Sequence, residues 1–106
     1  MVEATVSAGI PVVEESLIVP PQDSSAVRAQ RFVRGVLAES GVDRDVVDLA
    51  VLMTKALVIN GILHAESTLV VTVKVAPDSI RIEVADRDIK MLQGAAQSWG
   101  ISTISR

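Results

Sequence analysis

The sequence predicts one α/β domain, a two-layer sandwich with helices packed on one face of a mixed, mainly antiparallel sheet. Three observations lead there. Two stretches, ending near Gly41 and Ala65, repeat apolar residues at helical spacing. Two later stretches, Thr68 to Val75 and Ile80 to Val84, alternate with the period of a half-buried strand. The chain has 106 residues, 49% hydrophobic and 22% charged, enough for one core and too short for a second.

The elements follow in order. Residues 1–15 mix Val, Ala, Gly and Pro without helical period and are expected to form an N-terminal arm or extra strand, with the domain itself over 16–106. Pro11 and the Pro20-Pro21 pair bracket an apolar run, which predicts an edge strand at Ser16 to Val19. Asp23 or Ser24 is then placed to cap an amphipathic helix, with Ala26, Ala29, Phe32, Val33, Val36 and Leu37 opposite Arg28, Arg31 and Arg34, ended by Gly41.

Asp43 opens a second helix to about Ala65 that is apolar around most of its circumference, the mark of a central, buried helix. Asp48, Lys55 and Asn60 interrupt it, so it reads as a core helix rather than a membrane span. Leu69, Val71, Val73 and Val75 share one face of the next strand. Pro77 and Asp78 turn the chain, and Ile80, Ile82 and Val84 continue that face in the following strand. Ile89 to Ala96 is expected as a short helix and Trp99 to Ile104 as a last strand.

Composition excludes several classes of function. With a net charge of -3 and a pI of about 5.0, the chain has no cationic excess for nucleic acid or an anionic membrane. One Phe, one Trp and no Tyr leave few surfaces on which bases could stack. The absence of cysteine excludes disulfides and thiolate metal sites and agrees with a reducing cytosol, and Met1 to Ile10 lacks the basic start of a secretory signal, so a soluble cytoplasmic protein is expected. No Cys–His pair, nucleophile elbow, Walker loop or dinucleotide fingerprint is present. Asp43, Asp45 and Asp48 lack the turn glycine and terminal Glu of a calcium loop and serve as charges at a helix start.

Two polar residues sit where apolar ones are expected. Asn60 shares a helical stripe with Leu49, Met53, Ala56, Leu57, Leu63 and His64, all within roughly 60° of it at about 100° per residue. A buried amide there needs backbone, water, a metal shell or a ligand to meet it. His64, one turn on, is placed either to bond a carbonyl at the helix end or to act as a ligand. Counting by two from Ile80 brings Asp86 to the face that packs on the helices. Either pairing stops before Asp86 and it caps a turn, or it lines a pocket with Asn60.

The stretch Leu49 to Ala65, closing on Asn60, Gly61, Ile62, Leu63, His64 and Ala65, resembles the N box of the GHKL ATPases, in the small bacterial anti-sigma factor and serine-protein kinase branch. Ala26 to Gly41 is similar to that branch's first helix, and the strand ending Val84, Ala85, Asp86 to its first glycine-box strand. The resemblance implies a GHKL (Bergerat-like) fold and a nucleotide site in which Asn60 holds magnesium, Asp86 selects adenine, and His64 matches a frequent family histidine.

The departures are as specific. Family kinases carry a Glu one turn before the Asn, where this chain has Ala56, and a methyl group accepts no proton. Lys55 lies about 100° around the helix, and Glu66, after it, is the only nearby acid. The glycines expected after the Asp are replaced by Arg87, Asp88, Ile89 and Lys90, and only Met91 to Ser98 stands where the family has a lid and a further helix, so the fold is expected to be truncated.

The expectation is therefore a regulatory module that binds a sigma factor or an anti-sigma antagonist protein, with no ATP/ADP and magnesium or only weak binding of them, and no phosphoryl transfer. A homodimer through open sheet edges is also expected. The alternatives are an active ATP-dependent serine-protein kinase, or a structural oligomerisation domain with no nucleotide role.

Overall fold

A computed structural model describes residues 13–65, 67–87 and 97–102. The elements are β1 (Val13–Val19), α1 (Ser24–Glu39), α2 (Arg44–His64), β2 (Leu69–Ala76), β3 (Ser79–Asp86) and β4 (Gln97–Ser102). The strands form one sheet in the order β1-β2-β3-β4, and both helices lie on one of its faces.

Every pairing among the described strands is antiparallel, so the expected mixed sheet is corrected to an antiparallel one. The connections explain why. Between β1 and β2 the chain makes two helical crossings, out along α1 and back along α2, and an even number of crossings returns it to the end it left. Val19 at the end of β1 thus pairs with Leu69 at the start of β2. Pro77 and Asp78 form a two-residue turn between paired Ala76 and Ser79, as the sequence predicts, and reverse the direction again.

Alternation fixes the core. Leu69, Val71, Val73 and Val75 on β2 and Ile80, Ile82 and Val84 on β3 are buried under the helices, joined by Val19 and by Ala26, Ala29, Val33, Val36 and Leu37 of α1. The opposite sheet face carries a polar ladder that water can meet. Ser16 and Thr72 hydroxyls lie 2.9 Å apart, Lys74 Nζ is 3.2 Å from Glu83 Oε2, and Arg81 Nη1 donates to Ser98 Oγ at 2.8 Å. β1 begins at Val13, so the strand takes in the last residues assigned to the arm; exposed Glu14 and Glu15 put charge on this edge strand.

The helix ends differ from expectation in their caps. Asp23 is itself in helical conformation, and neither it nor Asp43 makes a side-chain cap bond. Ser25 fastens the start of α1 instead, its hydroxyl donating to the Pro20 carbonyl at 2.6 Å. α1 stops where predicted. Gly41 adopts φ 76°, and the amides of Gly41 and Val42 return to the carbonyls of Ala38 and Leu37, each at 3.1 Å. Val42 then packs against the core and starts the chain into α2.

α2 is not buried all round, contrary to the expectation of a central helix. Val47, Ala50, Val51, Thr54 and Val58 form its buried stripe, whereas Leu49, Leu52, Ile59 and Leu63 are 41%, 60%, 43% and 73% exposed. A two-layer fold offers α2 only one sheet face and one neighbouring helix. α1 is tied to it by Gln30 Nε2 donating to the Val51 carbonyl at 3.1 Å and by Arg34 Nη1, 3.1 Å from Asp48 Oδ1. Although α2 is long and apolar enough to cross a membrane by length and composition, it packs here as half of a helix layer. The expected helix at Ile89 to Ala96 and the strand residues beyond Ser102 lie outside the described residues.

Two glycine substitutions are predicted to act in opposite directions. Gly41→Ala forces a Cβ onto a left-handed residue and costs about 1–2 kcal/mol, with no neighbour within 4 Å to add to it. Gly35→Ala, at an exposed position within α1 with equally open space, stabilises by roughly 0.5–1 kcal/mol. Urea midpoints at unchanged slope read both.

Candidate functional site

The last two turns of α2 cross the sheet where β2 begins and β3 ends. Gly61 makes this close approach possible. A Cβ there would stand 3.3 Å from Leu69 Cδ1 and Cδ2 and from Val84 Cγ1. Asn60, His64 and Asp86 are therefore carried to one end of the molecule.

Asp86 points inward, as the counting by two predicts. It pairs with Leu69 across the sheet and is 8% exposed, so pairing does not stop short of it. The Ser67 hydroxyl, half-buried in the segment between α2 and β2, donates to Asp86 Oδ1 at 2.6 Å, a charge-assisted contact. The Arg87 amide continues the ladder to the Thr68 carbonyl at 2.9 Å.

Asn60 is placed differently from the sequence reading. It is half-buried and lies roughly 130° around the helix from the centre of the buried stripe. Of the residues sharing its stripe, Leu49, Ala56, Leu63 and His64 are exposed, and Met53 and Leu57 are half-buried. The apolar side on which Asn60 was expected is thus the outer and lateral side of α2, and water can reach its amide. Among the described residues no hydrogen bond joins Asn60 to Asp86.

His64 is exposed in the last turn of α2. Ala56 is exposed, with Lys55 beside it, and the face of α2 around Asn60 carries no carboxylate. No group of three His, Cys, Asp or Glu side chains among the described residues is placed to hold a metal ion. A magnesium ion brought by a nucleotide would find one amide oxygen on α2 and depend on the phosphates for the rest.

Two features escaped the sequence. A cavity of about 590 Å³ opens at the opposite end of the sandwich, between the α1–α2 corner at Val42, Asp43 and Val46 and the hairpin residues Val75, Pro77 and Ile80. It follows from the spacing of the layers, which no motif encodes. The second is the apolar outer crest of α2, whose signal was present in the 49, 52, 56, 59, 63 spacing, a second apolar stripe beyond the one the core needs.

In comparison with known proteins, no family model and no curated protein matches the chain.

Removing the Ser67 hydroxyl leaves Asp86 Oδ1 without that donor in a buried position. Ser67→Ala is predicted to destabilise the fold by about 1.5–3 kcal/mol, read by urea unfolding at neutral pH. A change below about 0.5 kcal/mol would show that water replaces the hydroxyl without loss.

Proposed function

We propose that this chain is a regulatory protein-binding module, similar to a GHKL anti-sigma factor, in which ATP binding is lost or weakened and phosphoryl transfer is absent. Its partners are a sigma factor or an anti-sigma antagonist protein, in the cytoplasm. The observation that carries this reading is the outer crest of α2, where four large aliphatic side chains, Leu49, Leu52, Ile59 and Leu63, stand in solvent along the helix. Folding does not require them there.

The altered site supports the same reading. A serine kinase needs a group to take the hydroxyl proton, and Ala56 occupies the position where the family resemblance places it. Asn60 and Asp86 remain as two anchors for magnesium and adenine without the glycines that let backbone approach a nucleotide. A second copy could also add to the outer edges of β1 or β4.

One contact favours a second reading, a structural domain with no nucleotide role. Ser67 already engages the Asp86 carboxylate, and an adenine amino group would have to share or displace that partner.

Calorimetric titration with ATP and ADP, with and without magnesium, separates these readings. The expected result is a Kd of about a millimolar or weaker, with no phosphate transferred to a serine of any partner. Binding in the micromolar range that Asn60→Ala abolishes, together with phosphoryl transfer, would overturn the proposal. Weak binding that Asn60→Ala removes favours the degenerate module over the structural domain.

A further inference from the structure

We infer that the outer surface of the helix layer docks an acidic amphipathic helix of a partner protein; this rests on the protein-binding reading above and names the chemistry of the partner. The crest of α2 is built as one side of a helix pair. Leu49, Leu52, Ala56, Ile59 and Leu63 follow each other at steps of three and four, the spacing by which one helix faces another, and they lie opposite the buried stripe. At about 1.5 Å per residue the crest runs for roughly 21 Å, enough for four turns of a facing helix.

Charge selects among occupants. α1 lies alongside, joined to α2 at Gln30–Val51 and Arg34–Asp48, so side chains on its outer side flank the apolar crest. Arg31 lies opposite α1's buried stripe. Exposed Arg34 and Lys55 occupy the trough between the helices with Asp48, and Val27, 49% exposed, adds an apolar contact on α1. Three cations against Asp48 leave the flank of the apolar crest positive, while Asp45 is confined to its N-terminal end. A helix with apolar side chains at i, i+3, i+4 and i+7 and carboxylates beside them matches both strips.

Two other occupants fit less well. A second copy would bring the same cationic trough against itself. An anionic bilayer would meet a crest with no aromatic side chain to sit at the interface, since Leu49, Leu52, Ala56, Ile59 and Leu63 are all aliphatic.

The test uses the full chain and two designed, fluorescently labelled peptides of about 20 residues, a length that spans the crest. Both carry Leu at alternating three- and four-residue steps, with Glu and Gln elsewhere in one and Lys and Gln in the other. By fluorescence anisotropy the acidic peptide is expected to bind at least about tenfold more tightly, with the gap shrinking as salt rises. Leu52→Glu and Leu63→Glu each weaken binding by about tenfold or more without altering thermal unfolding, since both side chains are already mostly in solvent. The double change Arg31→Glu with Lys55→Glu reverses the preference between peptides.

Equal affinity for the two peptides, indifference to Leu52→Glu, or no binding at millimolar peptide overturns the inference. Preferential binding to phosphatidylglycerol vesicles, or self-association that Leu52→Glu abolishes, overturns it in favour of the other occupants. Phosphoryl transfer would defeat the regulatory reading while leaving the peptide result standing, and a failed peptide titration leaves the nucleotide result untouched.

Discussion

A four-stranded sheet with one apolar face must cover that face, and in this chain the cover is a pair of antiparallel helices inserted between β1 and β2. The arrangement depends on how closely α2 can approach β2 and β3. Val47, Ala50, Val51, Thr54 and Val58 are small or β-branched, and Gly61 has no side chain where Leu69 and Val84 come nearest. Even the one polar member of the stripe is accommodated, because the Thr54 hydroxyl donates to the Ala50 carbonyl one turn back at 2.8 Å and brings no unmet donor into the core. With α2 held there, α1 fills the remaining face through Ala29, Val33 and Leu37, and the Gly41 corner sets the angle between the two helices.

The same approach determines where the polar residues go. Helix residues at or next to the contact line are buried whatever their chemistry, and those a third of a turn away reach a lateral position that water shares. Asn60 falls in the second class, whereas Asp86 is buried by the sheet itself, on the inward face of β3 and paired with Leu69. Resemblance to a nucleotide-binding family places both on one pocket wall, but their surroundings differ: Asp86 is held by Ser67, and Asn60 is half in solvent.

Much of the fold was legible because strand alternation is unambiguous when one face is polar. The inward direction of Leu69 to Val75, of Ile80 to Val84 and of Asp86, the turn at Pro77-Asp78 and the stop at Gly41 all follow from period and turn chemistry. α2 was harder to read, for a physical reason. A helical wheel identifies the buried face by contrast with a polar one, and α2 has Val47–Val58 on one side and Leu49–Leu63 on the other. Periodicity marked both sides as apolar and could not say which met the sheet, which is why Asn60 was assigned to the packed side. The caps failed similarly, since Asp23 and Asp43 have the right residue type at the right place while Ser25 and backbone amides make the bonds. The direction of the strands was available in principle from the count of helices between β1 and β2.

The outer crest of α2 lies outside the contacts that hold the helix layer on the sheet. Side chains such as Leu52 and Leu63 gain little from burial in the isolated domain, because most of their surface stays in water, and an exposed aliphatic crest carries a standing cost in solubility. The folded monomer alone therefore gives no account of them, whereas it accounts for every residue of the buried stripe. The end of α2 has a complementary property: Asp86 is held by Ser67 within the fold, while Ala56, one turn before Asn60 where the resemblance to GHKL kinases would place a base, offers only a methyl group. The position that the resemblance to GHKL kinases assigns to a base lies toward one end of α2, and apolar surface stands along its outer length. A surface of this kind gains free energy when another macromolecule covers it, and that gain is what the proposed protein-binding role would use.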